Sequence, residues 1–214
     1  MSVYNQIKRI YGFKKGEILQ RLKDFEQLWL NGTDEEIFTE LVFCILTPQS
    51  KAKVCWAAVE NLISKNLLLK GNKNQILKEL EGVRFKYKKA EYIVEAIKQF
   101  STDGKVFIKS RIAQFSDVYD AREWLAQNVK GIGYKEASHF LRNMGLGENL
   151  AILDRHILKN LKLFGIIEKI PKSIPRKKYL EIEKKIRKLA EKVKIPMSHL
   201  DLLLWYKETG EIFK

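Results

Sequence analysis

Five residues, Val129-Lys130-Gly131-Ile132-Gly133, separate two stretches of helical pattern and are too short and glycine-rich for anything but a tight turn. Glycine reaches backbone conformations closed to other residues, so Gly131 and Gly133 are read as the positions that shape this hairpin. Without side chains there, backbone N–H groups at the start of the second helix can approach an anion closely, and the helix dipole favours one. Lys130 adds a positive charge. Such a turn suits a nucleic-acid phosphate and carries no sequence information. Ile132 is expected to plug the hairpin into the core. Lys135 follows in the first turn of the second helix. A positive helix end disfavours an ammonium there and favours a neutral amine nucleophile. The plainer readings are a Gly-capped helix–helix turn and a surface lysine in a chain rich in them. Asp154 precedes another helical stretch and is by itself a natural N-cap for a helix over 155–164.

The elements around these residues read as helix after helix. Thr33-Asp34-Glu35-Glu36 forms a capping-box pattern, with Phe38, Leu41, Val42 and Ile45 at helical spacing behind it and Pro48 ending the run. Further helices are expected at about 51–63, 75–80, 87–100, 106–113 and 118–128. After the hairpin they continue at 134–144, 155–164, 177–193 and 199–208. Gly145 and Gly147 stop the first of these, and Pro196 and Ser198 serve the last as breaker and cap. No strand alternation, internal repeat or low-complexity tract stands out, so the class is all-α.

The 214 residues suffice for one large or two small domains, and 45% hydrophobic residues argue against disorder. A formal charge of +14 calls for an acidic partner, nucleic acid or an anionic membrane surface, unless it is the solvated Lys/Glu surface of a thermophile-like protein. No apolar run approaches a membrane span of roughly 20 residues, and Asn5, Lys8 and Arg9 interrupt the opening apolar residues, so no signal peptide is expected. A cytoplasmic, nucleoid-associated protein follows. Two cysteines, Cys44 and Cys55, exclude a four-cysteine metal or iron–sulfur site by count, and three dispersed histidines argue against zinc.

The block Lys130-Gly131-Ile132-Gly133-Tyr134-Lys135-Glu136-Ala137, followed by Ala151-Ile152-Leu153-Asp154-Arg155-His156-Ile157, resembles the helix–hairpin–helix DNA glycosylase superfamily. Its bifunctional members carry a lysine just after the hairpin and an aspartate about twenty residues on. Together with the ending Asp201-Leu202-Leu203-Leu204-Trp205-Tyr206, Gly210 and Lys214, the pattern looks like the archaeal-type, second family of 8-oxoguanine DNA glycosylase/AP lyases. The resemblance implies a two-domain, all-α helix–hairpin–helix glycosylase fold with the active site in an interdomain cleft. One domain would be a helical barrel over 28–144, holding the hairpin unit at about 118–144. The other would combine 1–27 with 145–214. Lys135 would attack C1′ and form a Schiff base, and Asp154 would stabilise the developing cation and help activate the lysine.

Such chemistry requires a base flipped out of the stack and something to fill the gap. By the resemblance, Gln49 in Thr47-Pro48-Gln49-Ser50 is the plug, and Phe85 in Arg84-Phe85-Lys86-Tyr87-Lys88-Lys89 the wedge, with Lys86, Lys88 and Lys89 on phosphates. The plainer readings are a helix-linking loop and core aromatics. 8-Oxoguanine presents an N7–H donor where guanine has an acceptor, so discrimination needs a fixed acceptor. The family supplies it from the main-chain end of its terminal lysine, here Lys214, with Trp205 stacking on the base and Asp201 touching the base or capping its helix. A core tryptophan and a frayed terminus are the alternatives. No cofactor is required, though a monovalent cation at the hairpin backbone is compatible with the resemblance. The partner is damaged double-stranded DNA, bound by a monomer, with no membrane. Competing readings are a superfamily glycosylase for another lesion, a non-catalytic helix–hairpin–helix DNA-binding protein and, more distantly, a membrane-surface protein. Endonuclease III-like relatives usually need four C-terminal cysteines, and monofunctional alkylbase enzymes lack the lysine.

Overall fold

The computed structural model describes residues 3–214. Among these residues the chain forms eleven helices and one two-residue-per-strand hairpin. It divides into two compact units: the chain up to Gln27 together with Leu141–Lys214, and Leu28–Phe140.

The Leu28–Phe140 unit is built around α2 (Asp34–Leu46). Thr33 caps it: the Glu36 N–H donates to Thr33 Oγ1 at 3.2 Å and the Thr33 N–H to Glu36 Oε2 at 2.8 Å. That capping box satisfies two otherwise orphaned donors, as the sequence pattern predicts. Every residue from Ile37 to Leu46 is buried, so this part of α2 is enclosed on all sides by other elements. α3 (Ala52–Ser64), α5 (Lys86–Phe100) and α6 (Ile108–Ile112) pack against it, while α4 (Lys73–Glu79) packs on α3 and α5. α7 (Val118–Asn128) matches the sequence reading at both ends. α8 (Tyr134–Asn143) follows the hairpin.

One stretch differs from the sequence reading. The helix expected at 106–113 is present but shorter, as α6 (Ile108–Ile112), and is preceded by β1 (Ser101–Thr102) and β2 (Lys105–Val106), paired antiparallel, which the sequence reading lacks. Asp103 and Gly104 take φ of 51° and 74°, the left-handed pair that a two-residue hairpin turn requires. The Asp-Gly dipeptide is the local signal for that hairpin, which takes only Val106 from the start of the expected helix.

In the other unit α1 (Val3–Asn31) accompanies α9 (Arg155–Leu163), α10 (Arg176–Val193) and α11 (Met197–Thr209). α11 packs on both α9 and α10, burying Leu200, Leu202, Leu203 and Leu204. Its N-cap is Pro196, and Ser198 lies inside the helix rather than capping it. The φ of −54° at Pro196 suits a helix start, and no side chain caps the first turn. No helix among the described residues is long and apolar enough to cross a membrane.

Gly145 ends the α8 segment with φ +69°, and a Cβ there would lie 2.7 Å from the Glu26 Cα. Both the left-handed conformation and the backbone approach demand glycine. Gly12, inside α1, meets nothing within 4 Å. Gly145→Ala is therefore expected to lower unfolding stability by about 1–3 kcal/mol. Gly12→Ala is expected to raise it by up to about 1 kcal/mol. Urea denaturation of the two variants measures both signs.

Candidate active site

The hairpin is closed by the Ile132 N–H donating to the Val129 carbonyl at 3.2 Å. Its third residue, Gly131, takes φ +82°, and a Cβ there would lie 2.6 Å from the Tyr92 ring. Glycine is thus required twice over at 131. Gly133 departs from the expectation, because its φ is not left-handed. It acts instead as the N-cap position of α8: its carbonyl accepts from the Ala137 N–H at 2.9 Å, and its own N–H donates to Glu136 Oε2 at 3.2 Å. Ile132 is buried and anchors the turn, and Lys130 is exposed. Beneath the hairpin the buried guanidinium of Arg122 lies between two rings, 5.4 Å from Tyr119 and 5.2 Å from Tyr134. The Tyr134 hydroxyl donates to Glu123, tying α8 back to α7.

This packing fixes the first turn of α8 and with it Lys135. The Lys135 side chain is 22% exposed, so it is steered yet reachable. Its Nζ donates to Thr47 Oγ1 at 3.3 Å and lies 3.5 Å from Glu136 Oε1. Thr47 is held in turn, its hydroxyl donating to the Cys44 carbonyl at 2.9 Å. Sequence reasoning did not find Thr47 or Glu136 as partners of Lys135. Glu136 was legible, one residue along and at the third helical position, whereas Thr47 lies 88 residues away.

The turn after α2 gathers further groups. Gln49 is exposed with φ 56°, and Phe85 is 57% exposed with φ 59°. Phe85 and Tyr87, the latter 65% exposed, are therefore not core aromatics. Lys86 is half-buried; Lys88 is exposed and faces Glu91 at 3.7 Å. Lys89 corrects the sequence reading, since it is only 3% exposed and reaches no phosphate. Its Nζ donates to the carbonyls of Leu46 and Pro48, both at 2.7 Å, and to Ser50 Oγ at 3.0 Å. All three ammonium protons are thus satisfied at the negative end of α2. The signal was present in the sequence: Lys89 shares the buried face of α5 with Ile93, Ala96 and Phe100. Burial is the largest influence on this ammonium and brings it down to about 8, against the smaller opposing influence of Cys55 and Glu136; Lys135 and Arg84 push the same way as burial. The Cys55 thiol, buried beside it and donating to the Leu46 carbonyl at 3.1 Å, is itself pushed up by burial.

In the other unit Asp154 is the N-cap of α9, its Oδ1 accepting from the Ile157 N–H at 2.7 Å. The cap fixes the carboxylate's rotamer while leaving it half-buried. His156, two residues on, meets Trp205 edge to face, with centroids 5.0 Å apart at 83°. The half-buried Trp205 has its Nε1 buried without a hydrogen-bond acceptor among the described residues. α11 is tied to α9 by charge: Glu208 meets Lys159 at 2.5 Å and Lys207 at 3.3 Å, and the buried Asn160 accepts from Lys207 at 2.9 Å. The bond from Lys159 is the first cause that holds the Glu208 carboxyl below its usual range. Asp201 lies within α11 and pairs with Arg142 at 3.5 Å, so it does not cap its helix. Lys214 is half-buried rather than extended into solvent.

Comparison with known proteins follows the same lines. The family model described as 8-oxoguanine DNA glycosylase matches residues 18–195. A relative from Fusobacterium nucleatum, named 8-oxoguanine DNA glycosylase/AP lyase, is 49% identical over 211 residues, covering 99% of this chain and 97% of its own. The crystal structure of the Methanocaldococcus jannaschii 8-oxoguanine glycosylase/lyase, in complex with a 15-mer DNA containing 8-oxoguanine, superposes with a TM-score of 0.87 at 40% identity, covering 98% of this chain and 99% of that one. The Thermotoga maritima 8-oxoguanine DNA glycosylase gives 0.85 at 37% identity, covering 99% and 98%.

Two outcomes follow from the geometry. Asp154→Asn keeps a good cap and is expected to hold stability within a few tenths of a kcal/mol, whereas Asp154→Ala loses about 1 kcal/mol; thermal denaturation of both separates the cap from any chemical role. For Lys89, the folded ammonium lets go of its proton near 8, below the unfolded value of 10.5. Between these the unfolded chain binds more protons, so raising pH favours folding. The stability of the wild type relative to Lys89→Met is expected to climb from pH 7.5 to pH 10, read from urea titrations at each pH.

Proposed function

The chain belongs to the 8-oxoguanine DNA glycosylase family of helix–hairpin–helix proteins, and from that premise we propose that it excises 8-oxoguanine from duplex DNA and nicks the strand as an AP lyase. The observation that carries this reading is Lys135: an amine in the first turn behind the glycine hairpin, half-buried and steered by Thr47 Oγ1. The hairpin holds a backbone phosphate through its N–H groups and Lys130, which brings the adjoining sugar to the amine. Gln49 fills the gap left by the flipped base, Phe85 wedges beside the estranged partner, and Lys86 and Lys88 meet phosphates. The exposure of Gln49 and Phe85 on their two turns, and of Lys88 in the first turn of α5, supports this assignment.

The neutral Lys135 amine bonds to C1′ as the C1′–N9 bond breaks, and the base leaves with that electron pair and takes up a proton. The Asp154 carboxylate offsets positive charge at the sugar during this step. The aminal then opens to a Schiff base, loss of a C2′ proton drives β-elimination, and the 3′ phosphate departs. Protein groups supply the nucleophile and the countercharge, so the sequence of steps balances without a cofactor; a monovalent cation at the hairpin backbone would serve only phosphate binding. Trp205 stacks on the flipped base, Lys214 supplies the acceptor for N7–H, and Asp201 borders the same pocket. A monomer acting in the cytoplasm at the nucleoid fits the size and charge of the chain.

The test uses duplexes carrying 8-oxoguanine, uracil, thymine glycol or an abasic site, with and without borohydride. The wild type is expected to cut the 8-oxoguanine and abasic duplexes and to form a reduced covalent adduct. Lys135→Gln is expected to lose the adduct and to slow excision by on the order of 10³-fold. An adduct surviving that substitution would remove Lys135 from the mechanism.

A further inference from the structure

The two exposed turns that carry Gln49 and Phe85 are strained in the same way. Gln49 and Phe85 take φ of 56° and 59° without being glycines. A side chain held in that region costs about 1–2 kcal/mol and persists only where neighbouring structure over-determines it. The over-determining structure is a single cluster. Lys89 Nζ grips the carbonyls of Leu46 and Pro48 at 2.7 Å and Ser50 Oγ at 3.0 Å. These acceptors lie on both sides of Gln49. The Ser50 hydroxyl oxygen also accepts the Arg84 N–H at 3.0 Å, and Arg84 is the residue before Phe85. One hydroxyl therefore joins the two turns, 34 residues apart, and one buried ammonium fixes that hydroxyl.

We propose that Lys89, acting through Ser50, is a positioning residue that locks the Gln49 turn and the Phe85 turn into one rigid head for opening duplex DNA. The proposal rests on the DNA-glycosylase reading of the site and adds to it the device that keeps the two probes at a fixed separation. A buried charge is costly unless fully paired. A lysine kept on the buried face of α5 with all three protons donated to this one turn is poorly explained by packing alone, since an apolar side chain would fill the same space. The charged and titratable groups facing it are Cys55 from α3, Lys135 and Glu136 from α8, and Arg84 from the preceding turn. Of these, the Cys55 side chain also meets the Leu46 carbonyl and Ser50, and the Arg84 N–H meets Ser50. The cluster is thus centred on the ammonium. Lys135 is tethered through a different pair of groups, Thr47 Oγ1 and behind it the Cys44 carbonyl, neither of which accepts from Lys89. Loosening the head leaves the amine in reach of a sugar that needs no flipping.

That separation makes the clamp measurable. Single-turnover β-elimination is followed at an abasic site in duplex DNA and at the same site in single-stranded DNA, alongside excision from an 8-oxoguanine duplex. A head that props the duplex open matters only for the duplexes. Lys89→Met and Ser50→Ala are each expected to lower the duplex-to-single-strand rate ratio, by about tenfold and about threefold respectively. The single-strand rate should stay within about twofold of the wild type. 2-Aminopurine placed opposite the abasic site reports the same loss as a smaller fluorescence rise on binding. A uniform fall in both rates, or an unchanged ratio, overturns the proposal and leaves Lys89 a folding residue. Should Lys89→Met fail to fold, Ser50→Ala, which keeps the two carbonyl bonds, decides by the same ratio. A wild type that cuts abasic DNA but spares 8-oxoguanine would defeat the substrate assignment alone, because the ratio still reads the clamp; a wild type inert on all three substrates defeats both.

Discussion

The C-terminal end of α2 is where the Leu28–Phe140 unit concentrates its polar interactions. Its last carbonyls carry the negative end of a helix that is buried on every side from Ile37 to Leu46. Water is scarce there, so protein donors must meet those carbonyls. Lys89 and the Cys55 thiol take the Leu46 carbonyl, and Thr47 folds its hydroxyl back on Cys44. Lys135 then rests on that same hydroxyl. The need to satisfy one helix end thus positions the Lys135 amine and both exposed turns. The cost is a buried ammonium, held charged near neutral pH by three short bonds rather than by a carboxylate.

The hairpin shows how little side-chain chemistry a tight turn between two helices requires. Gly131 supplies the left-handed residue and the space beside Tyr92, and Ile132 supplies the anchor. Glu136 closes the cap over the Gly133 N–H while lying beside Lys135. A carboxylate that already engages this N–H and this amine marks the electrostatic preference of the helix start for an anion. Arg122, stacked between Tyr119 and Tyr134, stiffens the two helices from below.

Asp154 in the other unit follows a comparable economy. Capping α9 removes the carboxylate's rotational freedom, so one residue stabilises a helix and presents a charge in fixed orientation. The polar cluster of Lys159, Lys207 and Glu208 around the buried Asn160 does for α11 what the cap does for Asp154. It fixes the register of α11 on α9, and with it the edge-to-face pairing of Trp205 with His156. Helix-to-helix ties of this kind are stiffer than apolar contact alone, because each partner left unpaired would carry a desolvation cost.

Local rules carried much of this from the sequence. Capping residues, glycine stops and helical spacing determine the helical class, the Thr33 capping box, the limits of α7 and the start of α8, since each depends on residues within one or two turns. The glycine hairpin with its following lysine and the aspartate cap were legible for the same reason. The short hairpin at 101–106 was missed, because the Asp-Gly turn needs only two residues and its two-residue strands leave almost no alternation pattern. Tertiary structure decided the rest. Lys89 looked like one more basic residue of an exposed segment until its register on α5 turned it inward. Thr47 as the partner of Lys135, Arg142 as the partner of Asp201, and Ser50 as the link between two turns all join residues 34 to 88 positions apart or lie on separate helices. No propensity encodes such pairings. They arise only when packing removes water from polar groups and forces them onto whichever partners the fold brings near.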